Sequence, residues 1–329
     1  MMKKKRMFYL ADCLLISGLM TYTLLDTFLI RQEYQTVDAH VVSSEDSSNE
    51  SNISQETASV THSRHSRRHA DDTSAGSGTV TAGLTADNSS YSDDNISITL
   101  QEYTWCDTQI YVADVQLSSI DYLYTAFADN IYGKNVTAKT STTAAENGAI
   151  LAINGDYYGA RNTGYVLRNG VLYRDSAASS SQEDLVIHAD GSFSIITEGS
   201  VSASSLEDDD VLQVFSFGPA LITDGEISVT LNEEVGKAMA SNPRTAICEI
   251  EPLHYLFVVA DGRTDASEGL SLYELAQFLQ ENFTIRTAYN LDGGGSSTMV
   301  FNGQLVNHPT TSGSSISERS VSDVICIGY

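Results

Sequence analysis

The chain has 329 residues, with 43 acidic against 18 basic side chains and a formal net charge of −25. An acidic excess of this size excludes broad nucleic-acid binding, which needs a basic footprint. The length admits one or two domains, but the uneven composition shows that not all of it can build a core. At the N-terminus Met1, Met2, Lys3, Lys4, Lys5 and Arg6 precede an apolar run over 7–30. That run is long enough to cross a hydrocarbon core of ~30 Å as a helix. Asp12 and Asp26 lie near its ends, where a side chain can reach the interface. The basic cluster predicts a cytoplasmic N-terminus. A cleaved signal peptide is the competing reading. Arg31-Gln32-Glu33-Tyr34 follows the run without a small-x-small cleavage site, so the pattern favours an uncleaved transmembrane anchor over 1–31. The rest of the chain is then extracellular.

From 32 to 95, Ser, Thr, Asp, Asn and Glu dominate, and large apolar residues are sparse. Such a segment buries too little apolar surface to offset its ordering entropy, and it reads as a disordered stalk. The run His62-Ser63-Arg64-His65-Ser66-Arg67-Arg68-His69 reads as solvated charge in a tether; contact with anionic polymer or weak metal capture is the alternative.

The folded domain is expected over 96–329. Residues 96–100, 109–117, 149–153 and 185–187 read as strands from their β-branched and apolar content. Three hairpin turns follow from Asn169-Gly170, Asp224-Gly225 and Asn302-Gly303, each between apolar stretches. Two more strands, 245–250 and 255–259, flank Glu251-Pro252-Leu253-His254. One helix has a full signature: Ser271 as N-cap, Glu274 three residues on, and an apolar face of Leu272, Leu275, Ala276, Phe278 and Leu279. A weaker helix covers 138–146. Many strands and few helices predict an α+β domain with mostly antiparallel β-sheet. Cys13 falls in the expected span. Cys106, Cys248 and Cys326 have no metal-ligand spacing, and a Cys248–Cys326 disulfide and buried free thiols both fit.

The densest chemical signal is Tyr289-Asn290-Leu291-Asp292-Gly293-Gly294-Gly295-Ser296-Ser297-Thr298. A strand ends in a carboxylate, and three glycines and three hydroxyls follow. Three adjacent glycines inside a domain point to positive φ or a close backbone approach. Four other strand ends carry polar groups: Asn154-Gly155-Asp156-Tyr157-Tyr158, Gly218-Pro219, Asn242-Pro243-Arg244, and Asp261-Gly262-Arg263. The tyrosines could offer a sugar a stacking face. Arg244 and Arg319 could meet a phosphate with a planar fork of donors. Two carboxylates, Asp261 and Asp292, match the recurring arrangement for cleaving acetals. The histidines His188, His254 and His308 show no metal spacing. The sequence requires no cofactor, and a divalent metal held by aspartates stays open.

These motifs occur in a fixed order: Asn154-Gly155, Asn-Pro-Arg-Thr-Ala at 242–246, Asp261-Gly262-Arg263, the helix at 270–276, the 290–298 run, and Glu318-Arg319-Ser320. With them the chain resembles the phosphodiester glycosidase family, most strongly from Ala149 onward. The resemblance implies hydrolysis of a sugar-1-phosphodiester. It implies catalytic roles for Asp292, Asp261 and Arg244. Substrate contacts would come from Asn154, Gly155, Gly293, Gly294, Gly295, Ser296, Ser297, Thr298 and Arg319, to which the residue types themselves add Asp156 and Tyr157. Where the family commonly has Asn-Gly-Gly-Phe-Phe, this chain has Asn154-Gly155-Asp156-Tyr157-Tyr158, which bears on the sugar more than on the reaction. The expected partner is a phosphodiester-linked carbohydrate at a bacterial cell surface, such as a teichoic or capsular polymer, with the membrane met through the anchor. A non-catalytic glycan-binding module is the alternative. If the motifs form one site, Asp261 and Asp292 should share a cleft at ~5 to ~10 Å, with the 293–295 backbone on its wall and Arg244 within reach.

Overall fold

The computed structural model describes residues 16–23, 25, 30–38, 89–208, 210–231 and 241–329. Its largest sheet has eight antiparallel strands. In spatial order they are Glu226–Ile227, Ala220–Thr223, Thr287–Asn290, Arg244–Glu251, His254–Ala260, Thr108–Leu117, Ile96–Trp105 and Ser90–Ser92. Side chains alternate across a strand. Tyr111, Ala113 and Val115 therefore face one side, with Ile96 and Ile98, while Ile110 and Val112 face the other.

A second antiparallel sheet of five strands lies against the first. Its order is Gln304–Leu305, Met299–Phe301, Ala149–Asn154, Asp323–Gly328 and Leu123–Phe127. Leu151, Ile153, Ile325 and Ile327 pack with the inner face of the large sheet into one core. A third sheet, built around Glu183–His188 and Val211–Phe215, adds Leu185, Ile187 and Phe215 to that core. Helix Leu272–Asn282 covers the outer face of the large sheet, and helix Thr140–Glu146 packs through Ala144 on the outer face of the second. The result is the expected mostly antiparallel α+β arrangement, with helix, sheet, sheet and helix in layers.

The local signals behave as turn and cap chemistry demands. Each predicted hairpin turn holds both residues at positive φ: 52° and 76° at Asn169-Gly170, 50° and 83° at Asp224-Gly225, 48° and 74° at Asn302-Gly303. Those are the left-handed turns that match strand twist. The long helix carries its capping box. The Glu274 N–H donates to Ser271 Oγ at 3.2 Å, and the Ser271 N–H donates to Glu274 Oε2 at 2.9 Å. Cys248 and Cys326 are buried free thiols.

Two boundaries need correction. Gln32–Thr36, assigned from composition to the stalk, is a strand paired with Ile131–Lys134. Folding also begins before Ile96, at Ser90–Ser92. Composition missed both because short edge strands draw their stability from backbone pairing more than from apolar side chains. The stalk over 39–88 lies outside the described residues, as do 1–15, 24 and 26–29 of the expected anchor. Among the described residues, no helix is long and apolar enough to cross a membrane.

The register places the site. Asn290 and Arg244 end their strands at one edge of the large sheet, paired with Ala246 and Ala260. Asn154 ends its strand in the second sheet, paired with Val324. These two edges touch where Thr245 Oγ1 donates to Asn154 Oδ1 at 2.8 Å.

Candidate active site

Asn154 stitches the site together. Its Nδ2 donates to the Asp292 carbonyl at 2.6 Å, and its Oδ1 accepts from the Thr298 N–H at 3.2 Å. One buried amide thus pins both ends of the 292–298 turn. Gly294 within that turn has φ +62°, and a methyl group there would lie 2.8 Å from Arg263 Nη2. Both the left-handed backbone and the packed guanidinium require glycine. The Gly294 N–H is not presented to a ligand; it donates to the Pro243 carbonyl at 2.8 Å.

Asp292 is the carboxylate that reaches the cleft. Its Oδ2 accepts from Ser296 Oγ at 2.6 Å and from Arg319 Nη2 at 2.9 Å. Arg319 also donates from Nε and Nη2 to Ser296 Oγ, at 2.9 and 2.6 Å, and from Nη2 to the Gly293 carbonyl at 3.2 Å. Asp292 Oδ1 carries none of these contacts. Burial raises the Asp292 pKa above the ordinary carboxylate value, and Arg319 and Ser296 pull it partly back.

Asp292, Arg319 and Tyr157 form a wall between two cavities. One, of about 200 Å³, is lined by small polar residues, among them Asn135, Thr137, Ser296, Ser320 and Ser322. The other, of about 430 Å³, is lined by Asn242, Arg244, Arg263, Asn290 and Phe217, with Gly293 and Gly294 on its wall. Arg244 Nε donates to the Leu270 carbonyl at 2.7 Å. Arg263 is held by the Asn242 amide oxygen, at 3.2 and 3.0 Å, and by the Thr311 carbonyl at 2.7 Å. Burial, then the neighbouring charge of Arg319, lowers the Arg263 pKa. Arg244, Arg263 and Arg319 on the lining of one cavity make a site for an anion.

The two expected carboxylates, Asp261 and Asp292, stand in different surroundings. Asp261 lines neither of the two cavities that Asp292 lines. Its Oδ1 accepts from Asn307 Nδ2 at 2.9 Å and from the His308 N–H at 3.0 Å, and its Oδ2 lies 3.2 Å from His308 Nδ1. Asn307 in turn holds the Ser297 carbonyl and the Met299 N–H. Asp261 therefore anchors the segment behind the turn. Asn154, Gly155, Gly295, Ser297 and Thr298 likewise line neither cavity; they shape the turn. Asp156 lines the smaller cavity, but Arg168 Nη2, the Ser216 N–H and the Tyr158 N–H occupy its carboxylate at 2.8, 3.1 and 2.9 Å. Among the described residues, no group of three or more His, Cys, Asp or Glu could hold a metal.

Sequence reasoning missed Arg168 and Asp323. Arg168 is fully buried and bridges Asp156 and Asp323, donating to Asp323 Oδ2 from Nε at 3.0 Å and from Nη2 at 2.9 Å. Burial raises the Asp323 pKa, and Asp156 raises it further. A methyl group on Gly155 would sit 2.7 Å from Asp323 Cγ. Arg168 holds that carboxylate in place, so it cannot give way. Gly155→Ala should cost about 1–3 kcal/mol of stability, as overpacking does, read by denaturant unfolding. A change within ~0.5 kcal/mol would show that Asp323 can move.

A profile of the phosphodiester glycosidase family matches residues 147–328. The chain belongs to the phosphodiester glycosidase family. It is 30% identical over 212 residues to the mouse N-acetylglucosamine-1-phosphodiester alpha-N-acetylglucosaminidase, covering 58% of this chain and 40% of the relative. It is 29% identical over 188 residues to the SPbeta prophage-derived protein YomE of Bacillus subtilis, covering 55% of this chain and 28% of the relative. The chain thus spans less than half the length of either curated relative. The zebrafish N-acetylglucosamine-1-phosphodiester alpha-N-acetylglucosaminidase catalytic domain superposes with a TM-score of 0.56 at 20% identity, over 76% of this chain and 87% of that one, which shows a shared fold. All the residues that line the arginine-lined cavity, from Tyr157 to Arg319, fall inside the stretch matched to the phosphodiester glycosidase family.

Proposed function

We propose that the protein hydrolyses a phosphodiester joining phosphate to the anomeric carbon of a sugar. One observation carries this reading: the Asp292–Ser296–Arg319 unit stands between a cavity lined by hydroxyls and amides and a cavity lined by arginines. The sugar ring fits the first and the phosphate the second, which puts the scissile bond beside Asp292.

The chemistry follows from that placement. A water on the sugar side gives its proton to Asp292 Oδ1, and its oxygen bonds to the anomeric carbon. The bond from that carbon to the phosphate oxygen breaks, and the electron pair leaves with the phosphate. A phosphomonoester is a stable anion, so its departure needs positive charge more than a proton. Arg319 and Arg263 supply that charge. A mechanism of this kind needs one ionised carboxylate in the cleft, and the position of Asp292 between the two cavities supports that role. The membrane-tethered, envelope-facing setting read from the N-terminal sequence is part of the proposal.

The test is release of reducing sugar when the intact protein is incubated with a panel of sugar-1-phosphodiesters. Turnover of at least one member, with a phosphomonoester as co-product, is expected. Binding without release across the panel would favour a glycan-binding module.

A further inference from the structure

In a chain of net charge −25, the arginine-lined cavity gathers more positive charge than one phosphodiester needs. Such a group carries a single negative charge, whereas Arg244, Arg263 and Arg319 line the cavity beside one carboxylate, Asp292, which pairs with Arg319. A further guanidinium stands at the rim. Arg161 lies 5.9 Å from the centre of the Tyr157 ring and 5.3 Å from that of Phe217. Both rings line the cavity. The hydrogen bond Arg161 makes is a long one, from Nη1 to the Ser216 carbonyl at 3.4 Å. No carboxylate among the described residues pairs with it. Aromatic faces orient a planar cation without neutralising it, and they leave its edge donors for an anion. Tyr157 is 42% exposed, so this cation–aromatic cluster meets solvent at the cavity mouth.

We propose that the arginine-lined cavity takes a second phosphoryl group, carried by the leaving portion of the substrate beyond the scissile phosphate and met at the rim by Arg161. The placement of the scissile phosphate rests on the hydrolase reading above. Two kinds of substrate share this chemistry: a sugar linked through a diphosphate, and a sugar on a polyol chain with a phosphate at the next position. Tyr157 and Phe217 then flank the group between or beyond the phosphates, while Arg263 and Arg319 hold the inner one.

The experiment is isothermal titration calorimetry on the intact protein with inorganic phosphate, pyrophosphate and glycerol 1,3-bisphosphate. At least one of the two-phosphate probes should bind about 10- to 100-fold tighter than phosphate, the range expected of one charge-assisted contact. Preference for pyrophosphate identifies the diphosphate class, and preference for glycerol bisphosphate the polyol class. In Arg161→Gln the advantage should fall toward one, and in Arg161→Glu below one, with thermal unfolding confirming that both variants fold. Affinities within about threefold of phosphate for both probes would overturn the inference, and so would an advantage that survives intact in Arg161→Gln. These binding measurements do not depend on turnover. A simple alkyl sugar-1-phosphodiester that is never cleaved would count against the hydrolase reading alone.

Discussion

Asp292→Asn lowers kcat on a sugar-1-phosphodiester by about 10²- to 10⁴-fold, the range for losing a positioned base, while the substrate still binds. Asparagine keeps the shape of the side chain and can still meet Ser296 and Arg319, so the turn persists. What it loses is the ability to take a proton at Oδ1. The same carboxylate sets the acid limb of the pH profile. Burial raises the Asp292 pKa, and the group works as the anion, so activity is present above that pKa and is lost as pH falls through it. The limb should therefore lie above the ordinary aspartate value of about 4. Steady-state kinetics across pH would settle the point. A variant with more than a tenth of wild-type kcat, or a wild-type profile flat down to pH ~4, would remove Asp292 from the chemistry.

Arg319→Lys comes second, with kcat/KM lower by about 10²- to 10³-fold, as for loss of a preorganised donor. The guanidinium reaches Asp292, Ser296 and the Gly293 carbonyl at once. A lysine ammonium is a point charge and cannot span that fork. The substitution also weakens the charge that pulls the Asp292 pKa down, so the acid limb should move to higher pH. That shift separates a role beside Asp292 from simple loss of packing, which would leave the limb where it was. A kcat/KM within about threefold of wild type would mean that Arg319 does not touch the transition state.

Much of the fold was legible because its signals are local. Asn169-Gly170, Asp224-Gly225 and Asn302-Gly303 state their turn type in two residues, and Ser271 with Glu274 states a helix start in four. The 292–298 turn was legible for the same reason. The site was read less well because its partners are distant. Asp261 looked like a second catalytic carboxylate at a strand end, and only the fold shows that Asn307 and His308 take its oxygens. Arg168 sits next to the Asn169-Gly170 hairpin signal, which says nothing of its own partners. Nothing local indicates that Asp323, 155 residues away, would bury it. Arg263 stood in a recognised motif, but its cavity-lining role depends on the Thr311 carbonyl and Asn242, which arrive from elsewhere. Arg161 gave no signal, since an arginine in a loop is ordinary until two rings close on it.

The amide of Asn154 joins the edges of two separate sheets, to Thr245 across 91 residues and to Asp292 across 138. Such links close only after long stretches of chain have been brought together, so their entropic cost falls late in folding. A chain with both sheets formed but not yet docked has its strands and most of its hydrogen-bonded backbone, and it has no active site. Catalytic competence in this protein is therefore a measure of sheet docking, and a substitution that loosens this seam abolishes turnover before it melts the strands.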